Sequence, residues 1–407
     1  MLLQRYCKSA NYFGRKMTQL ILVLDAAQRS ALAVTRSLGK LPQLSIFTAE
    51  AAPQALAGCS VFSQQFFMSP SAIAAPEDYI NWLHDLSNKY DFALVVPVTE
   101  VTSQLLLMNM TRLPKVRLPF TSYENVLQLA DKGNLMALAQ TLGIPSPATR
   151  LLASSAELAA TQLIYPFVIK PCLSKIFTPS GWIATSVKII HSPADLDKAL
   201  KSEVYLHAHP FMIQEFIPGN GAGVFCLYHH GQPTAFFAHR RLREKPPQGG
   251  VSVLCESAEV EPSLKLYAEK LLAAANWHGV AMVEFRVAPD GTPYLMEVNT
   301  RFWGSLQLAI DSGVDFPALM VSNELALGLP IPANYKIGQR LRWLLGDLDS
   351  LYLYLKSNYS VGQKLRRIVE FITPGLFKTK HEVNRINDIK PALYELKVYL
   401  RQILGKV

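Results

Sequence analysis

Two kinds of hydrophobic pattern divide the first third of the chain into predicted strands and helices. Short apolar runs at LILVLD, LSIFTA and Phe92 to Val98 predict buried strands. Between and after them, AAQRSALAVTRSLG and TEVTSQLLLMNM have helical spacing, and Gly39 is expected to end the first helix. This order of elements predicts a small open parallel α/β domain over residues 17–118. The dinucleotide fingerprint GxGxxG is absent from it, so we do not expect NAD or FAD to bind there.

The pattern changes after Pro114 and Pro119, which bracket a predicted linker. The segment ENVLQLADKGNLMALAQTLG predicts a helix that ends at Gly143. Predicted helices also cover residues 193–201, residues 262–277 and FPALMVSNELALG, which closes the region at Gly328. Strands are predicted at YPFVIK, WIATSVKII, FMIQEFI, GVFCLYH, TAFFAHRRL, VAMVEFRV and PYLMEVN. This indicates an antiparallel-rich α+β domain over residues 119–330, with a subdomain boundary near residue 205.

The C-terminal region, residues 331–407, is basic and is predicted to be helical. Its last segment places an apolar stripe at helical spacing, with Lys397, Arg401 and Lys406 elsewhere around the helix. The stripe consists of Leu393, Leu396, Leu400, Ile403 and Val407. Two interpretations stay open: this helix docks on the protein's own body, or the region contacts an anionic membrane or a carrier-bound acidic substrate.

Composition and charge narrow the class of protein. Charged residues make up 17% of the chain and hydrophobic residues 50%, but no apolar stretch approaches the roughly 20 residues that span a membrane. The five cysteines have no paired spacing, which favours a reducing cytoplasm, with peripheral membrane attachment as a variant. The region 1–16 is a basic extension without the features of a secretory signal, and Met17 is an alternative start.

The net charge of +9 is concentrated at the two ends of the chain. Residues 331–407 contain 14 Lys/Arg and 6 Asp/Glu, and residues 1–16 are also basic. The body between them is slightly acidic, so no basic groove is expected to run through it. Nucleic acid is therefore not an expected partner.

The most informative segment is VAMVEFRVAPDGTPYLMEVNTRFWG, in which two strand-like runs flank a Pro-Asp-Gly turn. A hairpin that is symmetric about Asp290 and Gly291 places Glu284 directly opposite Glu297, and Met282 opposite Asn299. A bulge at Gly291 would instead shift the pairing by one residue. Chance acidic residues on a solvent-facing hairpin are the plain structural alternative.

Two opposed carboxylates repel each other unless a cation lies between them. Magnesium is the natural candidate because it prefers hard oxygen ligands, and the side-chain oxygen of Asn299 can supply another. Alternation along the strand places Glu297, Asn299 and Arg301 on one face. We therefore predict a metal site at Glu284, Glu297 and Asn299, with Arg301 placed to hold a phosphate.

This motif resembles the ATP-grasp superfamily, whose members carry paired acidic residues on adjacent strands ending in E-x-N-x-R, here Glu297, Asn299 and Arg301. The continuation FWGSLQLAIDSGVDFP resembles the branch of the carbamoyl phosphate synthetase large subunit and the carboxylate-amine ligases. The resemblance covers residues 17–330. It implies an α/β pre-grasp domain followed by two α+β subdomains that hold ATP with Mg²⁺, or with Mn²⁺ as an alternative.

The resemblance also implies positions for the nucleotide contacts. Lys132, which Asp131 is expected to place in the first turn of a helix, and Lys170, the only charge in YPFVIK, match phosphate-binding lysines. The hinge QEFIPG would hold the adenine through the backbone, with Glu215 accepting and Ile217 donating hydrogen bonds. Its nucleotide contacts are predicted at Gln214, Glu215, Phe216 and Ile217, and the position of the relatives' ribose-binding acid falls at Gly221.

A cationic strand, AFFAHRRLRE, completes the predicted site. Alternation places His239, Arg241 and Arg243 on one face of the strand. In ATP-grasp relatives, arginines in this vicinity stabilise an acyl phosphate or a substrate carboxylate. Arg241 and Arg243 are therefore catalytic candidates together with Arg301, and salt-bridged surface residues are the plain alternative.

The resulting functional hypothesis is an ADP-forming ligase that activates a small-molecule carboxylate as an acyl phosphate and joins it to an amine. One alternative is carbamoyl phosphate or carboxyphosphate chemistry, and another is a non-catalytic ATP-binding regulator. A homodimer is possible under each of these three hypotheses. The expected fold class combines an α/β pre-grasp domain, a two-subdomain ATP-grasp fold and a helical basic C-terminal region.

Overall fold

The structure is a computed structural model, and it describes residues 18–178, 181–247, 249–373 and 379–405. The expectations for the basic extension, for Met17, for Lys406 and for Val407 lie outside these residues.

The N-terminal unit contains a parallel sheet with strand order β3-β2-β1-β4. Its elements are β1 (Gln19–Val23), α1 (Arg29–Leu38), β2 (Leu44–Glu50), β3 (Gln65–Met68), α2 (Pro76–Lys89), β4 (Phe92–Val96) and α3 (Glu100–Met108). The predicted open parallel α/β architecture is confirmed, and α1 ends where Gly39 was expected to end it. The sequence pattern did not predict β3 and α2.

The predicted single helix after the linker is two helices, α4 (Tyr123–Ala130) and α5 (Lys132–Thr141). The break occurs at Asp131, whose backbone is extended while its carboxylate Oδ1 accepts hydrogen bonds from Gly133 N at 2.8 Å and Asn134 N at 3.1 Å. These bonds satisfy amides at the start of α5 that have no partner within the helix. The expected Asp131 cap is therefore confirmed. The expected continuous helix is wrong, because the extended backbone of the capping residue ends α4 before α5 begins.

A second sheet has the order β5-β10-β6-β9, and a separate hairpin joins β7 to β8. The elements are β5 (Thr149–Leu152), β6 (Phe167–Pro171), β7 (Lys175–Thr178), β8 (Gly181–Ala184), β9 (Lys188–Ile190), α6 (Pro193–Ser202) and β10 (Phe211–Glu215). The predicted strand WIATSVKII is thus two strands, because its first half pairs locally with β7 and its second half pairs with β6.

The third sheet has the order β15-β14-β11-β12-β13-β16-β17, and its pairs are antiparallel except for β16 with β17. Its first part comprises β11 (Asn220–His229), β12 (Gln232–Lys245), β13 (Val251–Ala258), α7 (Pro262–Ala274), β14 (Gly279–Val287), β15 (Pro293–Asn299), α8 (Leu306–Ser312) and α9 (Phe316–Leu325). The sequence pattern did not predict β13. Helix α9 ends at Leu325 and is capped by Ala326, which adopts a left-handed conformation, and it does not extend to Gly328 as expected.

The C-terminal region is an integral part of this sheet. It consists of β16 (Arg340–Arg342), α10 (Leu344–Lys356), α11 (Val361–Ile372), β17 (Thr379–His381) and α12 (Lys390–Ile403). The predicted helices are present, and the two short strands extend the sheet beyond β13.

A buried ion pair attaches the C-terminal region to α1. Arg36 Nε donates to Asp388 Oδ2 at 2.7 Å, and its other nitrogens donate to the backbone oxygens of Glu382, Val383 and Asp388. The region therefore docks on the protein's own body, although not through the predicted apolar stripe. Among the helices described, none is both long enough and apolar enough to cross a bilayer.

Candidate active site

The hairpin of β14 and β15 places Glu284 directly opposite Glu297, and Met282 opposite Asn299, as predicted. Nearer the turn the pairing is shifted by one residue, because Phe285 faces Leu295. The symmetric pairing and the pairing shifted by one residue, which the sequence left as alternatives, are thus both present in one hairpin. The shift makes Met296 the extra residue of a β-bulge, which frees its backbone from regular pairing.

Hydrogen bonds connect the two carboxylates through Asn299. Its amide nitrogen Nδ2 lies 3.3 Å from Glu284 Oε1 and 3.2 Å from Glu297 Oε1. Arg301 donates to Asn299 Oδ1 at 3.4 Å and to the backbone oxygen of Phe302 at 3.0 Å. On the other side, Arg241 donates to Glu284 Oε2 at 3.0 Å. The predicted polar groups do converge at one place.

Two lysines approach the same carboxylates from the second sheet and from α5. Lys170, at the end of β6, donates from Nζ to the backbone oxygen of the bulged Met296 at 2.8 Å. Lys132 Nζ lies 3.6 Å from Glu297 Oε2, and the Lys132 backbone N donates to Cys172 O at 2.8 Å. The backbone bond holds the start of α5 against the end of β6, and it explains why these lysines lie near each other.

The surroundings shift the pKa values of the two opposed carboxylates in opposite directions. Burial, and then the neighbouring Glu297, raise the pKa of Glu284 despite its bond to Arg241. Burial also acts to raise the pKa of Glu297, but Lys132 and Lys170 outweigh it, so the pKa of Glu297 is lowered. Burial lowers the pKa of Lys170 to about 8, although Glu297 opposes this shift. Opposed carboxylates with separated pKa values are typical of functional sites.

The hinge residues form the connection between the second sheet and the third. Gln214 is buried, and its Nε2 donates to Thr149 Oγ1 at 2.9 Å, whereas Glu215 has an exposed side chain. Phe216 and Ile217 follow the end of β10, and among the hydrogen bonds of described residues none uses the Ile217 amide. The nucleotide contacts predicted for Glu215 and Ile217 stay a prediction.

A glycine fixes the path of the hinge. Gly219 has a φ of 131°, and a Cβ atom at this position would lie 2.0 Å from the backbone oxygen of Val287. Its own carbonyl oxygen accepts a hydrogen bond from Arg286 at 2.9 Å. The hinge therefore passes directly beside the end of β14, the strand that carries Glu284. Gly221 lies farther along β11 and provides no side chain for a ribose.

The expectation that Arg241 and Arg243 face the same site is wrong. The pairing of β12 with β13 shifts between these two residues, so the strict alternation that the prediction assumed is interrupted. Arg243 instead donates to both oxygens of the buried Asp347, at 3.0 and 2.8 Å, together with Arg342 and Arg367. Of these two arginines, Arg241 reaches the Glu284 carboxylate and Arg243 does not.

Other neighbours of the site were missed by the sequence reasoning. Glu244 Oε1 lies 3.3 Å from Arg241 NH1, and Ser174 Oγ lies 3.4 Å from Lys132 Nζ. No sequence signal predicts the first contact, because residues three apart on a strand point to opposite faces unless the pairing shifts, as it does here. His239 was expected to add positive charge, but burial, followed by Arg241, lowers its pKa to about 3. It is therefore neutral and packs against Phe225.

A group of three histidines lies at the opposite end of β11. His229, His230 and His278 present ring nitrogens within 4.8 Å of one another, and His278 Nε2 lies 2.9 Å from Glu324 Oε1. The rings of His230 and His278 are stacked with a 3° angle between their planes. Lone pairs lie in the ring planes, so these two rings do not converge on one ion.

The carboxylate site, by contrast, fits a hard cation and a polyphosphate. Its potential metal ligands are all oxygens, from Glu284, Glu297 and, after rotation of its amide, Asn299, which is the donor type that Mg²⁺ prefers. The cationic groups around them are Lys132, Lys170, Arg241 and Arg301. Four cations and three carboxylates, including Glu244 beside Arg241, leave a small excess of positive charge, which suits an anionic ligand.

Comparisons with known proteins agree with this architecture. Residues 207–345 match a family model described as ATP-grasp in the biosynthetic pathway with Ter operon. No curated protein sequence matches the chain significantly.

Several solved structures share the fold. Biotin carboxylase from Campylobacter jejuni, in a complex described as beta-gamma-ATP, has a TM-score of 0.61 at 17% identity, covering 80% of this chain and 75% of that one. The ADP complex of N5-carboxyaminoimidazole ribonucleotide synthetase has a TM-score of 0.60 at 14% identity, covering 80% of each chain. L-amino acid ligase from Bacillus licheniformis has a TM-score of 0.56 at 17% identity, covering 76% of this chain and 74% of that one.

Proposed function

We propose, on the premise that this chain has the ATP-grasp fold, that it is an ATP-dependent ligase that joins a small-molecule carboxylate to an amine. The observation that carries the proposal is the convergence of Glu284, Glu297 and Asn299 with Lys132, Lys170, Arg241 and Arg301. A regulator that only bound nucleotide would need the lysines, the hinge and the metal ligands, but not Arg241 and Arg301 beside the carboxylate pair.

Glu284, Glu297 and Asn299 would hold a Mg²⁺ ion, which when bound would neutralise charge on the phosphates of ATP. The chain's own residues do the remaining work. Lys132 and Lys170 neutralise the phosphate oxygens, and Lys170 is oriented by its bond to the bulged Met296. The hinge from Gln214 to Ile217 positions the adenine through its backbone.

The reaction transfers the γ-phosphoryl group of ATP to a carboxylate oxygen, so a new O–P bond forms as the bond to ADP breaks. The amine nitrogen then attacks the acyl carbon, phosphate leaves, and the amine proton passes to phosphate or solvent. Arg241 and Arg301 are placed to stabilise the negative charge of the acyl phosphate. No nucleophilic side chain is required, because the residues position the reactants and neutralise charge.

The purified full-length chain should release ADP when it is given Mg²⁺, ATP and the correct acid from pools of amino acids, sugar acids and other carboxylates. Hydroxylamine should trap the acyl phosphate as a hydroxamate without any amine substrate. ATP binding without ADP release and without hydroxamate across these pools would contradict a ligase and favour the regulator.

A second candidate function is carboxyphosphate chemistry, in which bicarbonate is the acid. It is favoured by the fold shared with biotin carboxylase and N5-carboxyaminoimidazole ribonucleotide synthetase. Bicarbonate belongs in the same assay: selective stimulation of ADP release by bicarbonate would support this candidate over the organic carboxylate.

A further inference from the structure

Two C-terminal helices expose their apolar faces. On α11, the side chains of Val361, Leu365, Val369 and Ile372 are 74%, 58%, 58% and 66% exposed. These positions recur at helical spacing and form one stripe. The opposite side of α11 is the buried one, because Arg367 there donates to Asp347 Oδ1 at 2.8 Å. The helix is therefore oriented with its polar anchor inward and its apolar face outward.

The last helix, α12, has the same arrangement. The stripe predicted from the sequence is exposed at each of its described members, Leu393, Leu396, Leu400 and Ile403. The other side of α12 faces the body: Ala392 is buried in the core and Tyr394 packs against it. Tyr399 donates to Asp349 Oδ1 at 2.6 Å, and Glu395 accepts from Trp343 Nε1 at 2.8 Å. Docking on the body thus leaves the apolar stripe uncovered.

Helix α10 lies between α11 and α12. Its Asp347 contacts α11 and its Asp349 contacts α12, and residues two positions apart project about 200° apart around a helix. Between these two flanks, Leu348 and Tyr352 of α10 are 38% and 54% exposed. The exposed apolar residues of α10, α11 and α12, which we call the C-terminal apolar surface, thus come from neighbouring helices.

The charges around the C-terminal apolar surface are mostly positive. Three acidic residues of this region point into the protein: Asp347 is fully buried, Asp388 pairs with Arg36, and Glu382 pairs with Arg29. Glu370 on α11 is exposed and pairs with Arg366 at 2.8 Å. Basic residues are exposed on the helices themselves, namely Lys356, Arg366, Lys390, Lys397 and Arg401. The net positive charge of residues 331–407 is therefore presented to the solvent beside the apolar side chains.

We propose that the C-terminal apolar surface docks on an anionic lipid bilayer. Amphipathic helices with exposed apolar residues flanked by Lys and Arg bind in the plane of such surfaces, where burial of the apolar groups and attraction to anionic headgroups add together. A second copy of the chain fits less well, because a symmetric interface would place the basic residues of both copies together. This inference concerns location and is independent of the proposed reaction.

The test uses the full-length protein and sedimentation with vesicles of phosphatidylcholine, with and without phosphatidylglycerol. Binding should require the anionic lipid and should fall several-fold at high salt, because salt screens the exposed charges. Replacing Leu365 and Val369 on α11 by Glu, or Leu400 on α12 by Glu, should reduce binding at least about tenfold. These residues are exposed, so the melting temperature should not change.

The matched control is Leu266→Glu on α7, which is also an exposed leucine but lies outside the surface. It should bind vesicles like the unsubstituted protein. Lys397→Glu combined with Arg401→Glu should weaken binding to anionic vesicles while leaving helix content unchanged. The proposal is overturned if the unsubstituted protein does not sediment with anionic vesicles, if the control is equally impaired, or if the α11 and α12 variants alter only self-association.

Discussion

Lys170 donates a hydrogen bond across 2.8 Å to the backbone oxygen of Met296, the bulged residue that directly precedes Glu297. The bulge thus turns a backbone carbonyl toward the lysine while it keeps Glu297 opposite Glu284. One irregularity in the hairpin therefore orients a phosphate-binding candidate and aligns the carboxylate pair.

The first prediction concerns the ionisation of Lys170. Its pKa is lowered to about 8, chiefly by burial, from an ordinary value of 10.5. Between these values the unfolded chain binds more protons than the folded one, so the stability of the free protein should rise with pH over this range. A polyphosphate beside Nζ should raise the pKa again, so ATP binding should take up a proton and weaken as the pH rises above about 8.

Calorimetric titration with ATP just above pH 8, in buffers of different ionisation enthalpy, measures this proton uptake. Lys170→Met should abolish it, whereas Lys265→Met on α7 should leave it unchanged. ATP binding with the same heat in every buffer would show that Lys170 does not contact the phosphates.

The second prediction concerns the carboxylate pair. Glu297→Gln keeps the shape of the side chain but removes one charged ligand, so we expect ADP release to fall by about 100-fold or more. Stability should change little, because lost repulsion from Glu284 offsets lost attraction to Lys132 and Lys170. Steady-state ADP release and thermal melting measure the two effects, with Glu269→Gln as a surface control. Activity within about twofold of the unsubstituted protein would exclude this site.

The third prediction separates two neighbouring arginines. Arg241→Gln should impair ADP release with little loss of stability, because Arg241 acts at the Glu284 carboxylate. Arg243→Gln should lower the free energy of unfolding by about 1–3 kcal/mol, because the buried Asp347 loses a charged partner but keeps Arg342 and Arg367. Urea unfolding and ADP release, compared for the two variants, test the distinction. Equal effects of both variants on activity alone would contradict it.

The fourth prediction concerns the attachment of the C-terminal region to α1. Asp388→Ala leaves the buried Arg36 without its carboxylate and also removes acceptors for Ser60 and Val61. We expect a loss of about 3–5 kcal/mol in the free energy of unfolding. Asp85→Ala, at an exposed position, is the control and should have almost no effect. An unchanged unfolding curve for Asp388→Ala would mean that the region is not held by this pair.

Local patterns were enough to predict the parallel N-terminal sheet, the antiparallel character of the larger domain and the Asp131 cap. The pairing of Glu284 with Glu297 was also predictable, because a short turn sets the register of the residues near it. The C-terminal apolar stripe was visible as a periodicity, and its amphipathic helix is present.

The sequence by itself therefore determined most of the elements of the predicted domains, the hairpin and the residue types of the candidate site. Only the tertiary structure decided which residues meet: Lys170 with a carbonyl 126 positions away, Arg241 with Glu284, and Arg243 with Asp347. The physical reason is that bulges shift a strand's alternation without a clear local signal, and long-range contacts depend on the packing of whole sheets. For the same reason, the structure alone revealed that the C-terminal helices dock through their other sides and leave these apolar stripes exposed.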